Sequence, residues 1–176
     1  VYKRQIQHPF IQFVMSIFEA YRQNFKRESI INIMKSGYLN DDDDFNMYVF
    51  ENVVLESGID FQAGLLNDEL FKKFLETRDD GQKQTLSEVE IQDIEEMLAY
   101  KNKVLAALNQ LFKSIESGTK AIDYIQSIYQ FLEKNRVLER LEKDIDTCED
   151  ETRKNETEDA YNQFINLLDN AHIVYG

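Results

Sequence analysis

One cysteine, one proline and six glycines in 176 residues leave little material for cross-links, kinks or tight turns. The lone thiol, Cys148, can close no internal disulfide and cannot by itself build a zinc site. A β-sandwich or barrel needs many more turn residues than this, so the expected class is all-α. No apolar run approaches the roughly 18 residues of a membrane span, and no signal-peptide pattern opens the chain. A cytoplasmic protein with no membrane partner is therefore expected. The first residue is Val1, and "VYKRQIQHPF" runs almost directly into a helical pattern. That start suggests a piece of a longer protein.

What is present is a regular supply of apolar residues, 43% of the chain, enough for a single helical domain over 1–176 with its own core. Charged residues make up 30% and the net charge is −13. Such a balance opposes independent binding to nucleic acid, because phosphates are repelled at long range. The charge is uneven. Residues 1–37 carry six Lys/Arg against two Asp/Glu, whereas residues 38–176 carry 14 against 31.

Apolar spacing marks the helices. "HPFIQFVMSIFEAYRQN" has Pro9 at a first helical position, and Ile11 and Phe13 widen its apolar face, which predicts burial on more than one side. "FKRESIINIMKSG" reads as a second helix, with Asn24 as its cap and Gly37 as a left-handed stop. A third is expected from about Asp44 to Ser57 and a fourth in "NDELFKKFLETR", followed by a polar loop. The longest pattern runs from Glu88 to Ser117, about 45 Å at 1.5 Å per residue, and Gly118 ends it. "TKAIDYIQSIYQFLEKN", capped by Thr119, and "NRVLERLEKDID" come next. The charged stretch "TCEDETRKNETED" then precedes a last helix, "AYNQFINLLDNAHIVYG". The expected architecture is an irregular bundle of seven or eight helices.

Candidate chemistry fails site by site. Asn40, Asp42, Asp44 and Glu51 fall at calcium-loop positions one, three, five and twelve, but Phe45 stands where that loop needs glycine for its sharp turn. The acidic run reads instead as the capped start of a helix, with Asp43 or Asp44 at the cap. "ESGTKAI" lacks the second glycine of a phosphate loop and follows a helix rather than a strand. One Asp169-x-x-His172 and one further histidine, His8, cannot furnish a di-iron bundle. Cys148 lies among carboxylates that disfavour the thiolate a nucleophile needs. No catalytic, cofactor-binding or metal residue is assigned in this segment.

Read in order, "HPFIQFVMSIFEAYRQNFKRESIINIMKSGYL", "FENVVLESGIDF", "IYQFLEKNRVLERLE" and "YNQFINLLDNAHIVYG" resemble the B subunit of bacterial AddAB/RexAB ATP-dependent helicase–nucleases. The matching positions are His8-Pro9, Asn24-Phe25, Lys35-Ser36-Gly37, Glu51-Asn52, Gly58-Ile59, Phe131-Leu132-Glu133, Leu168-Asp169 and Gly176. Phe50, Val53 and Phe61 depart from the family pattern, and residues 62–118 match only in apolar spacing. The resemblance implies the helical insertion of a helicase-related core, similar to the 2B region of UvrD-type helicases. It implies a parent complex that processes double-strand DNA breaks for recombinational repair, with an A subunit and DNA as partners. The family's motor, nuclease and iron–sulfur motifs have no counterpart here, which leaves a structural or positioning role. A free-standing acidic helical adaptor, docking a partner on an exposed stripe of residues 88–117, is the competing reading.

Arg22, Lys26 and Arg27 gather at the corner between the first two helices. Cations in a helix's first turn oppose its dipole at a few tenths of a kcal/mol each, so local stability does not explain Lys26 and Arg27. The corner is either solvated surface or a contact for DNA or the partner subunit.

Overall fold

The computed structural model describes residues 8–40, 67–69 and 88–175, and every regular element among them is helical. The helices are α1 (Pro9–Arg22), α2 (Arg27–Lys35), α3 (Glu88–Ser117), α4 (Ala121–Lys134), α5 (Val137–Thr147) and α6 (Glu151–Tyr175). The helix expected from Asp44 and most of the one expected after Asn67 lie outside the described residues.

Pro9 opens α1 where its missing N–H costs nothing, and the His8 side chain accepts a hydrogen bond from the Phe10 amide as N-cap. At the other end Asn24 does not cap α2, as its sequence position suggests. It closes α1. Asn24 is left-handed, with φ 52°, and its amide donates to the Tyr21 carbonyl at 3.4 Å while the Phe25 amide reaches the Ala20 carbonyl at 2.8 Å. Those two bonds form a Schellman closure, in which asparagine is tolerated at the left-handed position. Lys26 then becomes the N-cap of α2 without any side-chain cap bond. Gly37 ends α2 in the left-handed region, φ 76°, as its place after the last turn predicts. There Ser36 relays the closure: its hydroxyl donates to the Ile33 carbonyl and accepts from the Tyr38 amide.

α3 has the bounds that its unbroken periodicity predicts. Gly118 follows it for want of space rather than for an unusual φ, because an added Cβ would lie 3.0 Å from the Asp123 Cβ. Thr119 is not the cap of α4. Lys120 holds that position, and the Asp123 carboxylate reaches back to accept from the Thr119 and Lys120 amides at 2.8 and 2.9 Å. α6 starts nine residues before the expected "AYNQF", at Glu151, because Asp150 caps it by accepting from the Thr152 and Arg153 amides. The charged stretch is thus largely helix with a solvated surface.

One core runs through the molecule. α1 contributes Phe10, Phe13, Val14 and Ile17, α2 contributes Ile30, Ile33 and Met34, and α3 contributes Met97, Val104, Leu105 and Leu108. Phe131 and Leu132 of α4, Val137 and Leu141 of α5, and Phe164 and Leu168 of α6 also belong to it. The Phe10 ring stands edge-on to both Tyr38 and Phe164, with centroids 5.8 and 5.2 Å apart. Polar ties fix the register between helices. Tyr100 donates to the Met34 carbonyl at 3.0 Å, Arg140 donates to the Tyr38 carbonyl, and the Ser114 and Ser127 hydroxyls meet at 2.7 Å.

His8 also fastens α1 to α6. Its Nδ1 accepts from the Phe10 amide, so Nε2 carries the proton and donates to the Thr157 hydroxyl at 3.1 Å. Burial lowers the His8 pKa below its ordinary 6.5, and the Glu156 carboxylate opposes that only in part. The sign follows from linkage. The unfolded chain takes up this proton first as pH falls, so the His8 contribution is complete above about pH 6.5 and declines below it until the folded-state value is reached. The urea midpoint is therefore expected to drop more between pH 7.5 and 5.5 for the native chain than for His8→Asn. Equal drops would remove His8 from the account.

Candidate functional site

The basic corner is built on the Schellman closure. Phe25 has φ 63°, an uncommon conformation for a bulky residue, and is held there by burial of its ring against Phe112, with centroids 5.0 Å apart. Tyr21 meets the same ring at 5.1 Å. The end of α1 and the start of α2 are thereby pinned to α3.

Of the three cations that stand out in the sequence, Arg22 lies in the last turn of α1, exposed and well placed for that helix's dipole. Lys26 and Arg27 converge on one carboxylate: Lys26 Nζ and Arg27 Nη2 lie 3.6 and 3.7 Å from Glu28. A bond from its own backbone amide, then the two cations, hold the Glu28 carboxyl below its ordinary pKa. Arg27 is mostly drawn into the fold, whereas half of the Lys26 side chain remains open. Arg22 and Lys26 are thus the cations that reach solvent.

α1 packs against α2, against α6 and, through Tyr21 and Phe112, against α3, as its wide apolar face predicts, yet beside this corner part of that face stays open. Met15, Phe18 and Tyr21 are 54%, 44% and 41% exposed. Phe18 and Tyr21 form one wall of an apolar cleft whose other walls are Leu111, Phe112 and Ile115 of α3 and Ile128, Phe131 and Leu132 of α4. The signal is present in the sequence, since Ile11, Met15, Phe18 and Arg22 recur at helical spacing on a face offset from the Phe10–Phe13–Ile17 side.

Among the described residues, no group of three or more His, Cys, Asp or Glu side chains is placed to hold a metal ion. The Asp41–Asp44 run lies outside them. Cys148 is half-buried, with its thiol directed to the Asp150 carbonyl. At Gly118–Lys120, where a phosphate loop would sit, the Asp123 carboxylate already occupies the amides that a phosphate would need. Also among the described residues, no helix is long and apolar enough to cross a membrane.

No family model matches the chain. Individual curated proteins do, among them B subunits of bacterial ATP-dependent helicase/deoxyribonucleases. The chain is similar to the B subunit of the ATP-dependent helicase/deoxyribonuclease of Oceanobacillus iheyensis, at 27% identity over 143 residues, covering 78% of this chain and 12% of that protein. The Streptococcus suis counterpart is 25% identical over 171 residues, 96% of this chain and 15% of its own length. That of Caldanaerobacter subterraneus subsp. tengcongensis is 29% identical over 166 residues, 92% and 13% respectively. The resemblance carried by the short motifs therefore extends over most of the chain, which spans only about an eighth to a seventh of the relatives it matches.

Proposed function

We propose that this chain is a non-catalytic helical segment of the B subunit of an ATP-dependent helicase/deoxyribonuclease, and that it positions the A subunit or DNA while the reactions occur elsewhere in the parent. The observation that carries this is the alignment with the B subunit of Streptococcus suis, which takes in 96% of this chain but 15% of the relative. The helical fold of the described residues supports a helical insertion like the 2B region of UvrD-type helicases, and the parent's role is processing double-strand breaks for recombinational repair. The absence of any motor, nuclease or cluster motif from the sequence is consistent with a supporting role. The adaptor reading requires an exposed stripe on residues 88–117. On α3 Ile91 is exposed, whereas Ile94, Met97, Leu98, Leu105, Leu108 and Phe112 are buried in the core, which supports the first reading.

The test is reversal of Arg22, Lys26 and Arg27 to glutamate in the full two-subunit complex. Weaker DNA binding with a shallower salt dependence, by up to about 0.9 in log–log slope for each phosphate no longer neutralised, identifies a DNA-positioning corner. Weaker association of the two subunits at unchanged DNA affinity identifies an inter-subunit surface. The isolated 176-residue chain is expected to show no ATPase, nuclease or unwinding activity. Turnover by the pure chain, abolished by a point substitution within it, would overturn the proposal.

A further inference from the structure

The geometry points to the apolar cleft and the basic corner as one docking surface for another polypeptide: a segment of the partner subunit that inserts an apolar side chain between α1, α3 and α4 and presents acidic residues to Arg22 and Lys26. The inference rests on the proposed placement of this chain in a two-subunit enzyme and names the partner chemistry at the same corner.

Three observations carry it. The first is shape. Phe18 and Tyr21 from α1 line one cleft with Ile115 and Ile128, and every lining side chain but Tyr21 is wholly apolar. A concave apolar site with aromatic walls is the usual form of an interface anchor pocket, in which a few residues dominate affinity. The second is continuity. Met15, Phe18 and Arg22 follow at i, i+3 and i+7, so the exposed apolar stripe of α1 leads directly into the cationic corner. The third is charge. The chain as a whole is at −13, yet this end of the stripe offers Arg22, which forms no ion pair among the described residues, and Lys26, which shares Glu28 with Arg27. A partner segment with acidic residues beyond its apolar anchor complements both parts.

Nucleic acid fits less well. Phosphates need a track of several cations, and of the three at this corner only Arg22 and Lys26 reach solvent. Among the side chains that line the cleft only Tyr21 carries a polar group, too few to read base edges. The Phe18 ring is part of a concave wall rather than an open stacking platform.

The experiment uses the full-length B subunit and its purified A subunit. Met15 and Phe18 are replaced together by serine, and Arg22→Glu is made separately. Met15 and Phe18 are both more than two-fifths exposed, so the far-UV spectrum and melting of the full-length B subunit should stay at native values. For M15S/F18S the affinity between the subunits is expected to fall at least about 30-fold, the scale of a lost interface anchor. For R22E a loss of roughly tenfold is expected that shrinks as salt rises, since an exposed charge is screened. DNA affinity should be unchanged in both. Native affinity between the subunits in both variants overturns the inference and leaves the parent assignment standing. So does a fall in DNA affinity without loss of assembly, which marks a nucleic-acid surface, or self-association of the native B subunit that M15S/F18S abolishes, which marks an interface between copies. Failure of the native subunits to assemble at all overturns the parent assignment and the inference together.

Discussion

Replacement of Phe10 by alanine is expected to cost about 3–5 kcal/mol, the range for a fully buried phenylalanine whose neighbours cannot collapse into the space. Phe10 is 0% exposed. It fills the point where three parts of the chain meet, since its ring packs edge-on against Tyr38, which follows α2, and against Phe164 of α6. Edge-on pairs add to the area term. In a chain of this size that loss corresponds to a fall of roughly 6–20 °C in Tm. A Phe10→Ala melt within two degrees of the native one would show that the α1–α6 junction does not hold the core together.

Loss of Asp68 is expected to have the next largest effect. The Lys101 side chain is entirely buried in α3, and its ammonium lies 2.5 Å from an Asp68 carboxylate oxygen, while the Asn102 amide donates to the other oxygen at 2.8 Å. The pair is asymmetric, because Asp68 remains 41% exposed. Asp68→Ala takes one charge-assisted hydrogen bond from an ammonium that stays out of water, at a cost of about 1.5–3 kcal/mol. Lys101→Met removes the buried charge, keeps an unbranched stem of similar length, and lets the Asp68 carboxylate hydrate. It is expected to cost clearly less. Urea titration of both variants at pH 7 decides the matter. If Lys101→Met were the more damaging change, burial of the charge would not be the controlling term.

The helices are legible where a single rule governs them. α3 can be bounded from sequence because an apolar residue recurs every three or four positions for thirty residues and a glycine follows. Gly37 likewise announces its left-handed φ. Asn24 misleads because the same residue type suits an N-cap and a left-handed closure, and only the tertiary burial of Phe25 against Phe112 selects between them. The early start of α6 is hidden by charge: a helix with little to bury over its first turns has no apolar stripe to reveal it, and the Asp150 cap is the one local cue. The site is legible only as charge. Arg22, Lys26 and Arg27 stand out by composition, but their unequal access to solvent and the open cleft beside them depend on how α1 lies against α3 and α4. Lys101 with Asp68, 33 residues apart, has no sequence signature at all.

The clasp between His8 and Thr157 has a kinetic meaning. Among the described residues most helix packing is between neighbours in chain order, α1 with α2, α3 with α4, α4 with α5 and α5 with α6, joined by α4 against α6. Such local pairs assemble quickly because little chain has to be gathered before packing stabilises it. The junction of α1 with α6 is different. Its clasp joins residues 149 positions apart, and closing so long a loop carries an entropy cost that grows with the logarithm of its length. The α1–α6 junction, together with the Tyr100–Met34 and Arg140–Tyr38 ties, thus joins parts of the chain that are distant in sequence. Substitutions at His8 and Thr157 should leave the folding rate nearly untouched and accelerate unfolding, whereas changes along α3 and α4 should slow folding itself.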